Sequence, residues 1–281
     1  MKPISIVTDS TIDLPSHLFK GLPVHIVPLT LELDGQSYTD GVDLDATSFL
    51  EKLKQSVALP KTSQPRPGSF LDIYNALAEK GHDVLSIHLS GRLSGTVEGA
   101  SMAANESNAN VTVIDSLFTS SALGFQVLEA AMMAQEKKPM EEIVKRLEDI
   151  KNATSLYIMV DTLEYLKKGG RIGRVKALLG SIMNIKPVAR LEDGGLSPIQ
   201  SVRTHSQMIK LFVKRFQKET IGRRVGRVSI AHAGTKELAL RLLDRLRSET
   251  DAEIHIVETT PIITSHTGPG GVALMYYTDE M

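Results

Sequence analysis

Three glycine- or proline-containing segments carry hydroxyl side chains or a histidine, the side-chain types that bind small anions. The first, 90–96 (Ser-Gly-Arg-Leu-Ser-Gly-Thr), lies between a predicted strand and a predicted helix. Such a turn exposes N–H groups at the carboxyl edge of a parallel sheet, where the helix dipole attracts negative charge. Ser94 offers a hydroxyl, and Gly91 and Gly95 let a ligand approach the backbone. A role for Ser94 as a simple helix cap stays equally open.

Segment 90–96 does not match the common nucleotide-binding or nucleophile motifs. The dinucleotide fingerprint needs three glycines at other spacings, and a P-loop needs Gly-Lys-Ser/Thr. A nucleophile elbow needs a glycine two residues before the serine, where this chain has Arg92. These absences disfavour a covalent serine enzyme and favour noncovalent binding.

The other two segments are 61–67 and 265–271. Prolines stiffen the first, which we predict to be an extended loop that fixes the hydroxyls of Thr62 and Ser63. The alternative is a surface loop whose hydroxyls cap the next helix. The second places His266 in a predicted tight loop before a strand, where it could donate to a carboxylate. A purely structural histidine is the competing interpretation.

The last candidate binding residues are basic. They lie in the run 167–176 and at Arg203, which follows a predicted hairpin. Charge runs are usually solvated, and this interpretation is favoured for Lys167, Lys168 and Lys176. Arg171 differs because two glycines before it fix a turn. The histidines lack metal-ligand spacing and there is no cysteine, so we predict neither a metal site nor a cofactor.

The elements that position these segments alternate as strands and helices in the first half, which predicts a parallel sheet with flanking helices. Residues 22–33 are predicted as one strand-like stretch interrupted by Pro28. The second half predicts a hairpin around 193–195 and crossover helices, hence a mixed sheet. We therefore predict a two-domain α/β fold, with an N-terminal domain at 1–153 and a C-terminal domain at 154–281.

Composition narrows the functional classes. The 281 residues have a formal net charge of −1, which gives no general attraction to nucleic acid or anionic membranes. No apolar run is long enough to span a bilayer, and the first residues are apolar for too short a stretch to be a signal peptide. We expect a cytoplasmic protein without nucleic-acid binding or stable membrane insertion, and leave transient membrane contact open.

Five short motifs together resemble the DegV family over essentially the whole chain. They are Val-Thr-Asp-Ser-Thr (7–11), Thr-Ser-Gln-Pro (62–65), Leu-Ser-Gly-Thr (93–96), Lys-Gly-Gly-Arg-Ile (168–172) and His-Thr-Gly-Pro-Gly (266–270). The resemblance implies an N-terminal three-layer α/β/α domain, a C-terminal α/β domain with a mixed sheet, and a long-chain fatty acid between them. One departure is Ser90-Gly91-Arg92, where many relatives carry Ser-Ser, and this arginine could alter the head-group contacts or simply face solvent.

The resemblance also implies residue roles. Thr62, Ser94, the backbone at Gly95 and His266 correspond to the groups that bind the fatty-acid carboxylate. Arg171 and Arg203 correspond to basic positions that contact the partner or the product phosphate.

The partner implied by the resemblance is the ATP-dependent catalytic subunit of a fatty acid kinase, which makes acyl phosphate. The chain would then be a lipid-binding subunit without its own ATP site, and not an enzyme by itself. The alternative is a stand-alone small-molecule kinase, because the fold resembles that of dihydroxyacetone kinases.

Overall fold

The computed structural model of the protein describes residues 2–178 and 185–279. Its strands are β1 (Ile4–Asp9), β2 (Val24–Val27), β3 (Thr30–Leu33), β4 (Gln36–Thr39), β5 (Lys61–Ser63), β6 (Asp83–His88), β7 (Val111–Asp115), β8 (Thr154–Met159), β9 (Lys186–Glu192), β10 (Gly195–Val202), β11 (Arg224–His232), β12 (Ile254–Glu258) and β13 (Val272–Asp279). Its α-helices are α1 (Ala46–Gln55), α2 (Pro67–Glu79), α3 (Thr96–Glu106), α4 (Ser120–Gln135), α5 (Met140–Ala153), α6 (Glu164–Lys168), α7 (His205–Thr220), α8 (Lys236–Leu246) and α9 (Pro261–Thr267). Short 3-10 helices cover Ser16–Phe19 and Gly173–Leu178. None of the helices in these two ranges is both long and apolar enough to cross a bilayer.

The predicted parallel sheet is confirmed as four strands in the order β2-β1-β6-β7. Its central strand β1 is buried along its whole length, as expected for a strand covered on both faces. Apolar residues of α2 and α3 pack on one face of the sheet, and those of α4 and α5 pack on the other. This arrangement is the expected three-layer α/β/α architecture.

The strand order locates a natural ligand crevice. The chain leaves β1 toward β2 on one side and leaves β6 toward β7 on the other, so the order reverses between β1 and β6. Ligands of open α/β sheets bind outside the carboxyl ends of the strands at such a point. The segments that follow Asp9 and His88 therefore meet there.

A small antiparallel sheet, β4-β3-β5, corrects two predictions. The stretch 22–33 is not one interrupted strand, because Pro28 separates β2 of the parallel sheet from β3 of the small one. The segment 61–67 is not wholly a loop, because Lys61–Ser63 pairs with β3 and sets Thr62 opposite Leu31. Pro28 has no N–H to donate, which explains the change of sheet.

The mixed sheet of the second half is also confirmed, with six strands in the order β10-β9-β8-β13-β11-β12. The predicted hairpin is β9–β10, and β11 and β12 are the parallel neighbours. All strands of this sheet follow residue 153, whereas those of the other two sheets precede residue 116. We propose the division into 1–153 and 154–281 on this basis.

The two faces of the mixed sheet have different neighbours. One face packs against α7 and α8 through residues such as Tyr157, Leu274 and Tyr276. The alternate residues, including Leu156, Ala273 and Met275, face the start of α4 and the residues just before it, through Phe118, Ala122 and Phe125. The second face therefore meets the N-terminal half of the chain, and a cavity lies along it.

Candidate functional site

The cavity between the two halves has a volume of about 350 Å³. Small-molecule sites commonly enclose roughly 300–1,000 Å³. Its apolar wall comes largely from the mixed sheet and the helices beside it, through Leu156, Ile158, Leu166, Leu191, Leu196, Ala231, Ile262, Val272 and Ala273. Its polar wall comes mainly from loops of the N-terminal half and from α9, through Thr11, Thr62, Ser63, Gln64, Ser94, Thr119, Ser120, Thr259, His266 and Thr267, with Arg171. The arrangement suits an amphipathic ligand.

The segment after β6 forms the predicted strand-to-helix turn. The N–H groups of Leu93 and Ser94 donate to the Ser90 carbonyl at 2.9 and 3.1 Å. Helix α3 begins at Thr96 with Gly95 as its N-cap, and no side chain caps it. Ser94 therefore does not cap the helix; its hydroxyl lies 2.9 Å from that of Thr96 and lines the cavity. The first N–H groups of α3 lack intrahelical acceptors and suit an anion.

Gly95 lets the segment after β5 approach this turn. A Cβ at position 95 would lie 2.2 Å from Oε1 of Gln64, well inside contact distance. The missing side chain therefore allows the Gln64 amide to pack against the start of α3. This contact brings the Thr62–Gln64 segment beside Ser94.

Thr62 and His266 make the most direct link across the cavity. The Thr62 hydroxyl lies 2.8 Å from Nε2 of His266. The alternative that this loop caps the next helix is wrong, because α2 begins at Pro67 with Arg66 as an N-cap that makes no side-chain bond. Thr62 is thus aimed into the cavity, together with His266.

The prediction that His266 lies in a tight loop is wrong, because the residue lies in the last turn of α9. The Thr260 hydroxyl accepts from the Ile263 N–H and Pro261 opens the helix, two start signals that the sequence contains. The seven-residue helix was missed because it lacks a helical apolar period. Its final turn directs His266 toward Thr62, and Gly268, with φ of 73°, ends it.

Burial, together with the nearby Arg171 cation, lowers the pKa of His266 to about 4. The ring is therefore neutral at neutral pH, with one nitrogen donating and one accepting. Its Nδ1 is buried without a hydrogen-bond partner among the described residues. A neutral ring beside Thr62 can relay a hydrogen bond to a carboxylate oxygen.

Arg171 lines the cavity, whereas Arg203 is not among the lining residues. The Arg171 guanidinium donates to the carbonyls of Leu93 at 2.8 Å and Gly169 at 2.6 Å, so it ties the turn after α6 to the Ser94 segment. Arg203 is exposed just before α7. Arg92, where many relatives carry a serine, is also exposed and outside the cavity wall. Its side chain therefore faces solvent and is not part of the wall around the polar end of the cavity.

Two buried carboxyl groups, which the sequence does not predict, lie near the cavity. Asp13 accepts from the hydroxyls of Ser120 at 2.5 Å and Thr259 at 2.6 Å, so it joins the start of α4 to the segment before α9. Burial raises the pKa of Asp13 to about 6, although these hydrogen bonds oppose the rise. Burial also raises the pKa of Asp40 to about 7, against the hydrogen bond from Ser10. Their partners are distant in sequence, so no local signal reveals them.

Asp9 and Ser10, inside the first motif, support the segments around the cavity. Asp9 accepts from the N–H of Leu89 at 2.9 Å and from Thr11, and it lies 3.1 Å from Nδ1 of the buried His88. These contacts join the carboxyl ends of β1 and β6. They hold the Ser94 turn in place without entering the cavity.

The match to known proteins agrees with this architecture. The model of the DegV family matches residues 3–279. The chain belongs to the DegV family. A DegV domain-containing protein from Streptococcus pneumoniae is 41% identical over 275 residues, 98% of each chain.

Two DegV structures are also similar to this DegV chain. A DegV family protein from Thermus thermophilus, described for its fatty acid binding, is 34% identical with a TM-score of 0.93 and covers 99% of this chain and 100% of its own. DegV from Bacillus subtilis, a fatty acid binding protein, is 29% identical with a TM-score of 0.91 and the same coverage. The predicted DegV fold is therefore confirmed.

Proposed function

We propose that this DegV protein binds a long-chain fatty acid, with the carboxylate at Ser94, Thr62 and His266 and the acyl tail along the apolar wall. The observation that carries the proposal is the cavity itself, polar where the loops meet and apolar along the mixed sheet. The fatty acid binding described for the Thermus and Bacillus proteins supports the same ligand class.

The energetics favour a long tail. Burying about sixteen carbons at roughly 0.8 kcal/mol per methylene offers on the order of 12 kcal/mol of transfer free energy. Ordering and association costs offset much of this, yet the tail still dominates affinity. The hydroxyls, the start of α3 and the Gly95 backbone would then set the orientation of the head group.

The head-group contacts would also keep the carboxylate reactive. Hydrogen bonds to the charged form lower the pKa of a carboxyl group, so the bound head group stays ionised. One of its oxygens could then attack the γ-phosphorus of ATP on a partner kinase, forming acyl phosphate as the bond to ADP breaks. We propose that the protein presents its ligand in the cytoplasm to such an ATP-dependent fatty acid kinase subunit, which contacts Arg203 and the cavity-lining Arg171.

Extraction of the protein purified without added lipid tests the proposal. Organic extraction and mass spectrometry should identify a long-chain fatty acid at close to one per chain. An empty protein that takes up no radiolabelled fatty acid and hydrolyses ATP alone would contradict it. That result would instead support the alternative of a stand-alone small-molecule kinase.

A further inference from the structure

A second cavity, of about 490 Å³, lies on the other face of the mixed sheet. Its sheet residues Ser155 and Tyr276 alternate with Leu156 and Met275, which face the N-terminal half. The C-terminal end of α7 and the turn before β11 also line it. The lining residues are Asn152, Ala153, Thr154, Ser155, Arg190, Arg215, Lys218, Glu219, Ile221, Arg223, Tyr276 and Thr278.

Positive charge dominates this cavity. Four cationic side chains line it, from Arg190, Arg215, Lys218 and Arg223, against the single carboxylate of Glu219, an excess of three positive charges. Throughout the described ranges, no Asp or Glu lies within ion-pairing distance of these four. The whole chain has a formal net charge of −1, so the concentration of cations here is local.

Three hydroxyl groups donate hydrogen bonds to the Glu219 carboxylate. The carboxylate accepts from Tyr276 at 2.8 Å, from Ser155 at 2.7 Å and from Tyr157. These bonds fix the two tyrosines and use both carboxylate oxygens. The carboxylate therefore builds the floor of the cavity and does not hold the cations by direct contact.

The Arg190 side chain is fixed in position at the cavity. Its guanidinium carbon lies 5.7 Å from the centre of the Tyr157 ring, a cation–π contact that fixes the side chain. Its Nε is buried and has no hydrogen-bond partner in the described parts of the chain. Among the described residues the Arg190 guanidinium donates no hydrogen bond, so an anion in the cavity would displace no existing acceptor.

We propose that this second cavity binds a phosphate-bearing anion through Arg190, Arg215, Lys218 and Arg223. Arginine forks match the oxygens of a phosphate group, and charge-assisted bonds of this kind are the strong ones. The phosphate could be that of a free small molecule or of an anionic phospholipid head group. The site is independent of the acyl cavity, because the sheet separates the two.

Isothermal titration calorimetry of the full chain with inorganic pyrophosphate at low ionic strength tests the proposal. We expect saturable one-site binding that weakens as salt is added. Arg215→Gln and Arg190→Gln should each lower the affinity by about tenfold, the size expected for one charge-assisted hydrogen bond. Arg245→Gln removes the same charge from an exposed position on α8 and should leave the affinity unchanged.

Vesicles distinguish the two sources of phosphate. Flotation with phosphatidylcholine vesicles, with and without phosphatidic acid, is measured for the same variants. Binding of pyrophosphate alone indicates a free phosphate compound, and binding of phosphatidic acid vesicles alone, lost in Arg215→Gln, indicates a lipid head group. The proposal is overturned if neither probe binds, or if Arg245→Gln weakens binding as much as Arg215→Gln. Arg223→Gln, at an exposed position, gives the same test if Arg190→Gln fails to fold.

Discussion

The hydroxyl oxygen of Thr62 lies 2.8 Å from Nε2 of His266, although 204 residues separate the two along the chain. One residue belongs to β5 and the other to α9, so the contact forms only when the two halves of the chain come together. Ser94 and Arg171 line the same cavity. The proposed head-group site is therefore a product of tertiary structure, and the first prediction concerns its hydroxyls.

Replacing Thr62 and Ser94 together with alanine should lower fatty-acid affinity by about tenfold or more, because two neutral hydrogen bonds to a charged group are lost. Partner-dependent acyl phosphate formation should fall further, since the carboxylate loses its orientation. Fluorescent fatty-acid displacement measures the first effect and ATP-coupled turnover the second. Ser69→Ala, an exposed serine on α2, is the matched control. Wild-type turnover in the double variant would refute the head-group assignment.

Gly169→Ala tests the position of His266. A Cβ at position 169 would lie 2.4 Å from Nδ1 of His266 and 2.9 Å from the carbonyl oxygen of Tyr165, so the His266 ring or the backbone around it must shift. We expect a loss of about 1–3 kcal/mol in unfolding free energy, as for other overpacked sites, and weaker fatty-acid binding.

Gly68→Ala provides the control for this substitution. Its Cβ would meet nothing within 4 Å and its position lies in α2, where alanine is favoured over glycine. This variant should be at least as stable as the wild type and bind fatty acid equally well. Equal behaviour of the two glycine variants in denaturant unfolding would show that the ring position does not matter.

His266 should make the lipid-free protein less stable in acid. Its pKa is about 4 in the folded chain against 6.5 for an ordinary histidine, so protons bind the unfolded chain first. Stability should therefore fall as pH decreases from about 6.5 toward 4, by at most about 3 kcal/mol. His266→Gln keeps an amide that can bond to Thr62 and should remove this part of the pH dependence. Parallel pH profiles of unfolding free energy for the two proteins would contradict the prediction.

Asp40 should have the opposite effect. Burial raises its pKa to about 7 from 3.8, so stability falls as pH rises from about 4 to 7 and the unfolded carboxyl ionises first. Asp40→Asn should stabilise the protein at pH 8 by about 2 kcal/mol, since the amide needs no charge and can still accept from Ser10. Chemical denaturation at pH 5 and pH 8 measures the difference.

Asp43→Asn is the contrasting variant. This exposed carboxylate accepts from the Thr39 N–H at 2.7 Å, and hydrogen bonds from Thr39 lower its pKa. Its substitution should reduce stability at pH 8, where the wild-type group is ionised. If Asp40→Asn also destabilises the protein at pH 8, the ionised Asp40 carboxylate stabilises the fold and the prediction is wrong.

Arg203→Ala and Arg171→Ala should separate partner contact from ligand contact. Arg203 is exposed and outside the cavity wall, so its removal should leave fatty-acid affinity unchanged and lower partner-dependent turnover. Arg171 holds the Leu93 carbonyl and lines the cavity, so its removal should lower both. Equilibrium fatty-acid binding and kinase assays on both variants give the comparison. Loss of fatty-acid affinity in Arg203→Ala would place that residue in the binding site after all.

The sequence predicts those parts of this molecule that depend on local pattern. Strands such as β1 and β6 are short stretches rich in β-branched and other apolar residues, and the turn at Ser94 follows β6 closely. Helix α9 escapes prediction because it is short and lacks an apolar period, although Thr260 and Pro261 mark its start.

Contacts between distant segments stay hidden for a different reason. The pairing of β5 with β3 and the bonds of Asp13 to Ser120 and Thr259 depend on chain positions up to 246 residues apart. Nothing in the local sequence specifies these partners. The resemblance to a family identified Thr62 and His266 as members of one site, whereas their own neighbours in sequence did not.

A crystal structure of the protein crystallised with palmitate tests the central claim most directly. We expect the carboxylate within hydrogen-bonding distance of the Ser94 and Thr62 hydroxyls, with the tail along Leu156 and Ala273 inside the cavity. A carboxylate at the opposite end, or a tail lying outside the space between the two sheets, would contradict the account.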